Sequence, residues 1–377
     1  MPENGENNDG SHSNKYKTVI EDPSLIRAGS SHRKSHSGHK SRKKHKRSPK
    51  RWGIEKRVGT GLLLAVAILT VLLRYLPGYP LMSLEWLIGN QLFRIGLIPF
   101  ILLLGFFYKA SRHIAGFVVL LGLAAILIGE AIMFIPLLPP EKVDISPDQR
   151  LRVLTYNVGM RYPAGLVEHL DSELVDIACL QEVYVYNIDS LMRDAERLGF
   201  QTHFLKLRDD AGGGLILMHK GKLINIQTIE AESFNNKKRR FMAADILWGE
   251  RQIRLVLVHF ESNSRKRGFA GFLQAWNLRT IQANLVSEIA DTSSVPNIVI
   301  GDFNATPTDR SIRELRKNMT DAWYKGGHLI GGTWHLKYPF LRIDEVLYNG
   351  FTDAANAKVI PHLRSSDHRA LQVDLLW

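Results

Sequence analysis

Hydrophobic and polar positions divide the 377-residue chain into regions of different character. Residues 1–57 have almost no bulky apolar side chain before Trp52, and such a segment predicts a disordered tail. Residues 58–138 contain three long apolar stretches, at about 58–76, 92–108 and 114–138. Residues 139–149 are rich in proline and polar side chains and predict a linker. From residue 150 to residue 377, short apolar runs alternate with amphipathic stretches.

The three apolar stretches predict three transmembrane helices. A hydrocarbon core about 30 Å thick needs roughly 20 apolar residues per helix, and these stretches hold 19, 17 and 25 residues. Lys and Arg concentrate in the tail and in the loop at 109–113, so the positive-inside rule places the N-terminus in the cytoplasm. We therefore expect an integral membrane protein, in a bacterium of the inner (plasma) membrane, whose region 150–377 lies on the extracytoplasmic side.

Residues 150–377 predict an α/β domain. The expected helices cover 164–171, 187–198, about 268–290 and 308–318, where apolar residues recur at three- and four-residue spacing. Many strands with interspersed helices indicate sheets whose faces need helical cover. The expected strands are "LRVLTYN", "VDIACLQE", "GGLILMH", "RFMAADILW", "QIRLVLVHF", "NIVIGDF", "RIDEVLY" and "ALQVDLL".

The positive charge of the chain belongs to the tail. Residues 1–57 hold 15 Lys and Arg against 6 Asp and Glu, whereas residues 150–377 hold 29 against 26. The domain therefore lacks the basic footprint of a dedicated DNA binder. The tail is interpreted as a solvated cytoplasmic segment, with anionic lipid, nucleic acid or metal capture by its histidines as alternatives. Cys179, the single cysteine, lies in an apolar run and is expected to be a buried, inert side chain.

Polar side chains stand at the ends of six expected strands. Each taken alone has a structural explanation: Asn157 could cap a turn, for example, and Asp344 could pair with Arg342. As a set they indicate one site, provided that the strand ends converge. Carboxylates and amides without a Cys or His cluster suit a hard cation such as Mg²⁺ or Mn²⁺. The set comprises Asn157, Glu182, His259, Asp302, Asn304, Asp344, Asp367 and His368.

Six blocks in this order resemble the endonuclease/exonuclease/phosphatase superfamily of metal-dependent phosphoesterases. The blocks are "LTYNVG", "DIACLQEV", "LVLVHFES", "GDFNATPTD", "LRIDEVLYNG" and "SSDHRALQVDL". The resemblance covers residues 150–377, the expected catalytic domain. It implies a four-layer α/β sandwich of two mixed β-sheets flanked by helices, with the active site at one end.

The resemblance also implies roles for the residues at matching positions. Glu182 is expected to be the principal metal ligand, supported by Asn157, with Asp367 as a further ligand or as a residue that orients one.

In the same way, Asp302 is expected to position or deprotonate the attacking water, and Asn304 to hold that water and the phosphate oxygens. His368, oriented by Asp344, would contact the scissile phosphate. His259 would be a second phosphate-contacting or proton-donating group.

The substrate class stays open at this level. "QEVY" stands where abasic-site endonucleases show "QETK", and the signatures of inositol phosphatases are missing. We expect a membrane-anchored phosphodiesterase or phosphomonoesterase, with a lipid or another small phosphodiester favoured as substrate. The alternatives are an extracellular or periplasmic nuclease, and a catalytically inactive membrane scaffold.

Overall fold

A computed structural model covers most of the expected catalytic domain. The basic tail (1–57) and nearly all of the three expected transmembrane stretches lie outside the residues that it describes. No helix of the described part is both long enough and apolar enough to cross a membrane. The described residues are 135–140, 144–263, 268–291, 294–335, 337, 339, 341–363 and 365–377.

The described residues form twelve β-strands and five α-helices. The strands are β1 (Arg150–Asn157), β2 (Ile177–Tyr184), β3 (Gln201–Lys206), β4 (Gly213–His219), β5 (Lys222–Glu232), β6 (Lys238–Trp248), β7 (Arg251–His259), β8 (Asn297–Asp302), β9 (Thr320–Asp321), β10 (Asp344–Asn349), β11 (Asp353–Ile360) and β12 (Ala370–Leu376). The helices are α1 (Leu166–Ser172), α2 (Ile188–Arg197), α3 (Gly268–Asp291), α4 (Arg310–Leu315) and α5 (Ala322–Gly326). Helices α1 to α4 lie where the sequence predicts helices.

The strands form two mixed sheets, as predicted, and each sheet has six strands. Sheet A has the order β11-β12-β1-β2-β4-β3, and sheet B has the order β5-β6-β7-β8-β10-β9. Each sheet contains one parallel pair, β1 with β2 in sheet A and β7 with β8 in sheet B. The other pairs are antiparallel.

Alternating side chains on each strand build the layers. In β1, Val153 belongs to the apolar cluster shared by the two sheets, while Leu154 packs in the cluster that contains α1 and α2 residues. In β8, Ile300 contributes to the cluster between the sheets, and Val299 to the one that contains α3 and α4 residues. Because strand side chains alternate between faces, this pattern produces helix, sheet, sheet and helix in succession.

The strand directions bring the polar strand ends together. Asn157 is opposite Gln181 at the carboxyl ends of β1 and β2. His259 is opposite Asp302 at the carboxyl ends of β7 and β8, and antiparallel pairing sets the first residue of β10, Asp344, opposite Asp302 as well. The polar ends of strands from both sheets therefore gather at one end of the sandwich.

Candidate active site

Asp302, the last residue of β8, is the centre of the polar cluster. Its side chain is buried, and Asn157 Nδ2 donates to Asp302 Oδ2 at 2.9 Å. The backbone N–H of Asn304 donates to Asp302 Oδ1 at 2.8 Å, and Asn304 Nδ2 donates to the Phe260 carbonyl oxygen at 3.1 Å. These bonds fix both carboxylate oxygens of Asp302.

Gly301 permits this arrangement because its backbone lies against the neighbouring strand. Its φ is +146°, and a Cβ added at this position would lie 2.0 Å from the Val258 carbonyl oxygen. A side chain is therefore incompatible with the close approach of β7 and β8 that sets His259 beside Asp302.

Glu182 reaches the cluster from a distorted part of β2. The pairing of β2 with β4 shifts register between Leu180 and Val183, and Glu182 itself has φ of +53°, which is unfavourable for a long side chain. Its carboxylate accepts from Asn157 Nδ2 at 3.2 Å and faces the solvent cleft. Strained residues of this kind concentrate at functional sites.

His259, the last residue of β7, lies between the two carboxylates. Its Nε2 is 3.5 Å from Glu182 Oε1 and 3.5 Å from Asp302 Oδ2. Burial lowers the pKa of His259 well below its ordinary value, and the positive charges of Arg239 and His368 lower it further. The imidazole is therefore neutral, with no hydrogen-bond partner for either ring nitrogen within the described part of the chain.

His368 is oriented by Asp344. His368 Nδ1 lies 2.9 Å from Asp344 Oδ2, and His368 Nε2 lies 3.8 Å from Asp302 Oδ2. Burial lowers the pKa of His368, but the carboxylates of Asp344 and Asp302 outweigh it and bring the pKa to about 10. The ring is thus an imidazolium that donates from Nδ1 to Asp344. Burial also raises the pKa of Asp302, to about 7, against the lowering effect of the His368 charge.

A comparison with protein families matches residues 154–368 to the Endonuclease/Exonuclease/phosphatase family. The chain belongs to this family. The chain is accordingly a hydrolase that acts on phosphoester bonds, as predicted. Enzymes of this family depend on a divalent metal. No curated protein sequence matches the chain.

The chain is similar to several solved structures at low sequence identity. An endonuclease/exonuclease/phosphatase from Beutenbergia cavernae is 17% identical, with a TM-score of 0.51 over 60% of this chain and 72% of that one. The catalytic domain of human Nocturnin, solved with a bound sulfate anion, is 22% identical, with a TM-score of 0.47 over 63% of this chain and 99% of that one. Truncated TDP2 from Caenorhabditis elegans is 15% identical, with a TM-score of 0.48 over 60% of this chain and 98% of that one.

The residues at the site fit a divalent cation. Potential ligand atoms of Asp302, Asp344 and His368 lie within 4.8 Å of one another. His368 is protonated and already bound to Asp344, however, so its nitrogens are poor ligands in this state. Glu182 faces the cleft and, among the described residues, has no Lys or Arg within ion-pair distance. The Glu182 carboxylate therefore has no counter-charge, and it lies close to the carboxylate of Asp302, since both accept from Asn157 Nδ2. Carboxylate oxygens arranged in this way are the ligands that hard cations prefer.

The structure brings most of the predicted site residues into mutual contact. The contacts of Asn157 and Asp367 differ from those expected of residues that bind the metal. Asn157 faces Glu182 and Asp302 with its NH₂ group, while its Oδ1 accepts from the Gly159 N–H at 3.0 Å. It thus positions the two carboxylates by hydrogen bonding. Asp367 lines the cleft, and its Oδ2 accepts from Trp334 Nε1 at 3.0 Å.

The sequence did not indicate the residues that hold the backbone around His259 and Asp344 in place. Buried Arg239 donates to the carbonyl oxygen of His259 at 2.8 Å and to Glu261 Oε1 at 3.1 Å. Thr333 Oγ1 accepts from the backbone N–H of Asp344 at 3.2 Å. Arg239 is part of the run "KKRR", which is typical of a solvated surface. It is nevertheless the second residue of β6, and the apolar run later in that strand was the available signal.

The candidate active site opens into a cleft of about 320 Å³. Its wall includes Glu182, Asp302 and His368, and continues through the segment 304–309 to α4. Cys179 lies outside this cleft, in the core between the sheets, where burial raises the pKa of its thiol. It is a buried, inert side chain, as predicted.

Proposed function

We propose that this chain is a Mg²⁺-dependent phosphodiesterase. The observation that carries the proposal is the meeting of Glu182, Asp302 and His368 at one cleft. Buried His259 lies 3.5 Å from the first two carboxylates, and Asp344 forms an ion pair with His368. Such a site combines hard-oxygen donors, a proton acceptor and an imidazolium, which are the groups that phosphoester hydrolysis requires. Mn²⁺ is expected to substitute, because the donors are oxygens.

Each of these residues has a defined task in the proposed reaction. Asp302 accepts the proton of the attacking water, since burial raises the pKa of this carboxylate to about 7. The Nδ2 group of Asn304, 3.3 Å from Asp302 Oδ2, is available to orient that water. His368 offers its Nε2–H to a phosphoryl oxygen while Asp344 holds its Nδ1. Neutral His259 donates a hydrogen bond to a second oxygen.

A divalent cation held by Glu182 and its neighbours would polarise a phosphoryl oxygen and neutralise developing charge. The hydrogen bonds from Asn157 keep the Glu182 and Asp302 carboxylates close together against their mutual repulsion.

The experiment is a metal-dependent assay of the purified full-length chain. Bis(p-nitrophenyl) phosphate, DNA, RNA, sphingomyelin and phosphatidylinositol are each incubated with Mg²⁺, with Mn²⁺ and with excess EDTA. We expect turnover of at least one phosphodiester that EDTA abolishes. Absence of metal-dependent turnover on the whole panel would contradict the proposal and favour the scaffold interpretation.

We further propose that the chain is anchored in a membrane with its catalytic domain on the extracytoplasmic side. This proposal is supported by the three apolar stretches within 58–138 and by the Lys and Arg of the tail and the 109–113 loop. A lipid substrate would suit an anchored enzyme, although anchoring also simply retains an enzyme at the cell surface. Alkaline phosphatase fused after Trp377 should be active in a bacterial host; an inactive fusion would reverse the assignment and favour cytoplasmic nucleic acid.

A further inference from the structure

Three consecutive glycines, at 212–214, stand at the start of β4, and the proposed reaction does not use them. In the structure they form a floor beneath two larger side chains. A Cβ added at Gly212 would lie 3.3 Å from Met160 Cε and 3.4 Å from Tyr184 Cε2. A Cβ added at Gly213 would lie 2.6 Å from Met160 Sδ and 2.7 Å from the Val183 carbonyl oxygen. A side chain at Gly213 would therefore displace Met160 from this floor.

Met160 is held next to the proposed active site. Its backbone N–H donates to the Glu182 carbonyl oxygen at 2.8 Å, and Glu182 itself lines the cleft. Both residues have positive φ, +63° for Met160 and +53° for Glu182. Long side chains disfavour this conformation, so it persists only where the surrounding contacts impose it. Met160 is thus a fixed part of the surface on the Glu182 side of the cleft.

Two tyrosines that follow Glu182 continue this surface. Tyr184 is half-buried beside Gly212, and the side chain of Tyr186 is 81% exposed. Their ring centroids are 5.0 Å apart and the rings are inclined at 64°, edge to face. In this arrangement Tyr186 keeps aromatic surface open to solvent. We call the three side chains of Met160, Tyr184 and Tyr186 the aromatic platform; none of them carries a charge.

We propose that the aromatic platform binds a flat heteroaromatic ring of the substrate, a nucleobase, attached close to the scissile phosphodiester. This inference rests on the proposed phosphodiesterase function and specifies its substrate class. Tyrosine and methionine bind ring faces by stacking and by sulfur–aromatic contacts, which need no charge. Because every base has a flat face, such a platform positions the substrate without selecting a particular base.

Two observations favour a base of a small or single-stranded substrate over an alkyl chain and over duplex DNA. Burying an alkyl chain against Tyr186 would also desolvate its hydroxyl, whereas a base with polar edges covers the ring face and leaves the hydroxyl hydrated. Duplex binding requires a basic surface, and residues 150–377 hold 29 Lys and Arg against 26 Asp and Glu.

The test compares dinucleotides that differ in one ring. The parent substrate is thymidylyl-(3′→5′)-thymidine. In the first pair of analogues, one of the two thymines is replaced by hydrogen. In the second pair the same thymine is replaced by a cyclohexyl group, which is apolar but not flat. The measured quantity is the ratio of kcat/KM between the parent and each analogue, determined for the full-length chain with Mg²⁺.

The variants of the platform are Tyr184→Ala, Tyr186→Ala, Tyr186→Phe and Met160→Ala. Tyr324→Ala is the control for the tyrosines, because α5 packs on β11, which β12 and β1 separate from β2. Leu174→Ala is the control for Met160, because Leu174 is also exposed with positive φ and precedes the start of β2.

We expect the wild-type chain to prefer the parent over one of the hydrogen analogues by about fivefold to 150-fold, the range of one base stacked on an aromatic side chain. Each tyrosine-to-alanine variant should lose most of this preference, and Met160→Ala should lose part of it. Tyr186→Phe should keep it, since the ring remains, and both controls should keep it in full. The thymine whose removal matters identifies the side of the phosphodiester that faces the platform.

The outcomes separate this inference from the proposed function. Metal-dependent turnover with equal kcat/KM for the parent and both hydrogen analogues, or a preference that survives both tyrosine-to-alanine variants, would overturn the platform alone. A cyclohexyl analogue hydrolysed as well as the parent would overturn the assignment of a flat ring. Turnover of bis(p-nitrophenyl) phosphate without turnover of any dinucleotide would also overturn the platform and leave the phosphodiesterase standing. Absence of turnover on every substrate would overturn both.

Discussion

Replacing Asp344 by Asn removes one negative charge from the site and keeps the shape of the side chain. In the native chain Asp344 Oδ2 lies 2.9 Å from His368 Nδ1, and burial of both side chains shields this pair from water. An amide cannot stabilise the imidazolium in the same way. We expect Asp344→Asn to leave His368 less protonated and less firmly oriented toward the scissile phosphate.

The size of the effect follows from the lost interaction. A hydrogen bond to a charged group contributes about 1.5–3 kcal/mol. If the imidazolium acts on the charge that develops in the transition state, this loss lowers kcat by about tenfold to 150-fold, since 1.36 kcal/mol corresponds to a factor of ten. KM should change much less, because the contact strengthens mainly in the transition state.

The assay is the steady-state hydrolysis of bis(p-nitrophenyl) phosphate with saturating Mg²⁺, accompanied by urea unfolding. Asp374→Asn is the matched control. Asp374 is buried on β12 and accepts from Arg152 at 2.6 and 2.8 Å, so its replacement also weakens a buried ionic contact. Asp374 is close to the carboxyl end of β12, whereas His368 precedes the start of that strand, so the two residues lie at opposite ends of β12.

Both variants should lose stability, and only Asp344→Asn should lose kcat. An equal fall of kcat in the two variants would show that the effect is global. An unchanged kcat in Asp344→Asn would refute the assignment of His368 and Asp344 to the reaction.

Three further predictions concern stability. Gly301→Ala should lower the free energy of unfolding by about 2–4 kcal/mol, because the new Cβ would lie 2.0 Å from a β7 carbonyl oxygen. Gly249→Ala is the control and should cost only about 1 kcal/mol, because the space around its Cβ is open. Urea unfolding measures both. Arg342→Met should cost about 3–5 kcal/mol in the same assay, since it leaves the buried Asp321, now bonded at 2.7 and 3.0 Å, without this partner. Burial lowers the pKa of His219 to about 4 in the folded chain, whereas a histidine in the unfolded chain titrates at about 6.5. The unfolded chain therefore binds the proton first, and the free energy of unfolding should fall by at most about 3 kcal/mol as the pH drops from about 6.5 to 4. His219→Gln should lose this part of the pH dependence.

Central strands could be predicted from sequence, and edge strands could not. All eight predicted strands are present, and "GGLILMH" and "ALQVDLL" coincide with β4 and β12. The four that were missed, β3, β5, β9 and β11, are the edges of the two sheets. The residues of β5 are mostly exposed, so they carry little apolar signal. Short α5 was also missed, because five residues are too few for a helical period.

The candidate site was predictable as a set of residues but not as a geometry. Polar residues after apolar runs marked Asn157, Glu182 and Asp302, because a buried strand has to end where polar side chains begin. The positive φ of Glu182 and the approach of both sheets depend on tertiary packing. The burial of Arg279 on α3, where it donates to the Glu261 carbonyl oxygen at 3.0 Å, could not be predicted either. A lone arginine within a helix is usually a solvent-facing residue.

Mg²⁺-dependent hydrolysis of bis(p-nitrophenyl) phosphate by the full-length chain and by Asp302→Asn tests directly whether the chain is a phosphodiesterase that uses Asp302 as its proton acceptor. The substitution keeps the shape of the side chain and removes its capacity to accept the proton of the water. Loss of a positioned proton acceptor is expected to lower kcat about 10²- to 10⁴-fold. We predict a loss in this range with cooperative unfolding retained. A variant that hydrolyses the substrate within about threefold of the wild-type rate would contradict the role of Asp302 as the proton acceptor.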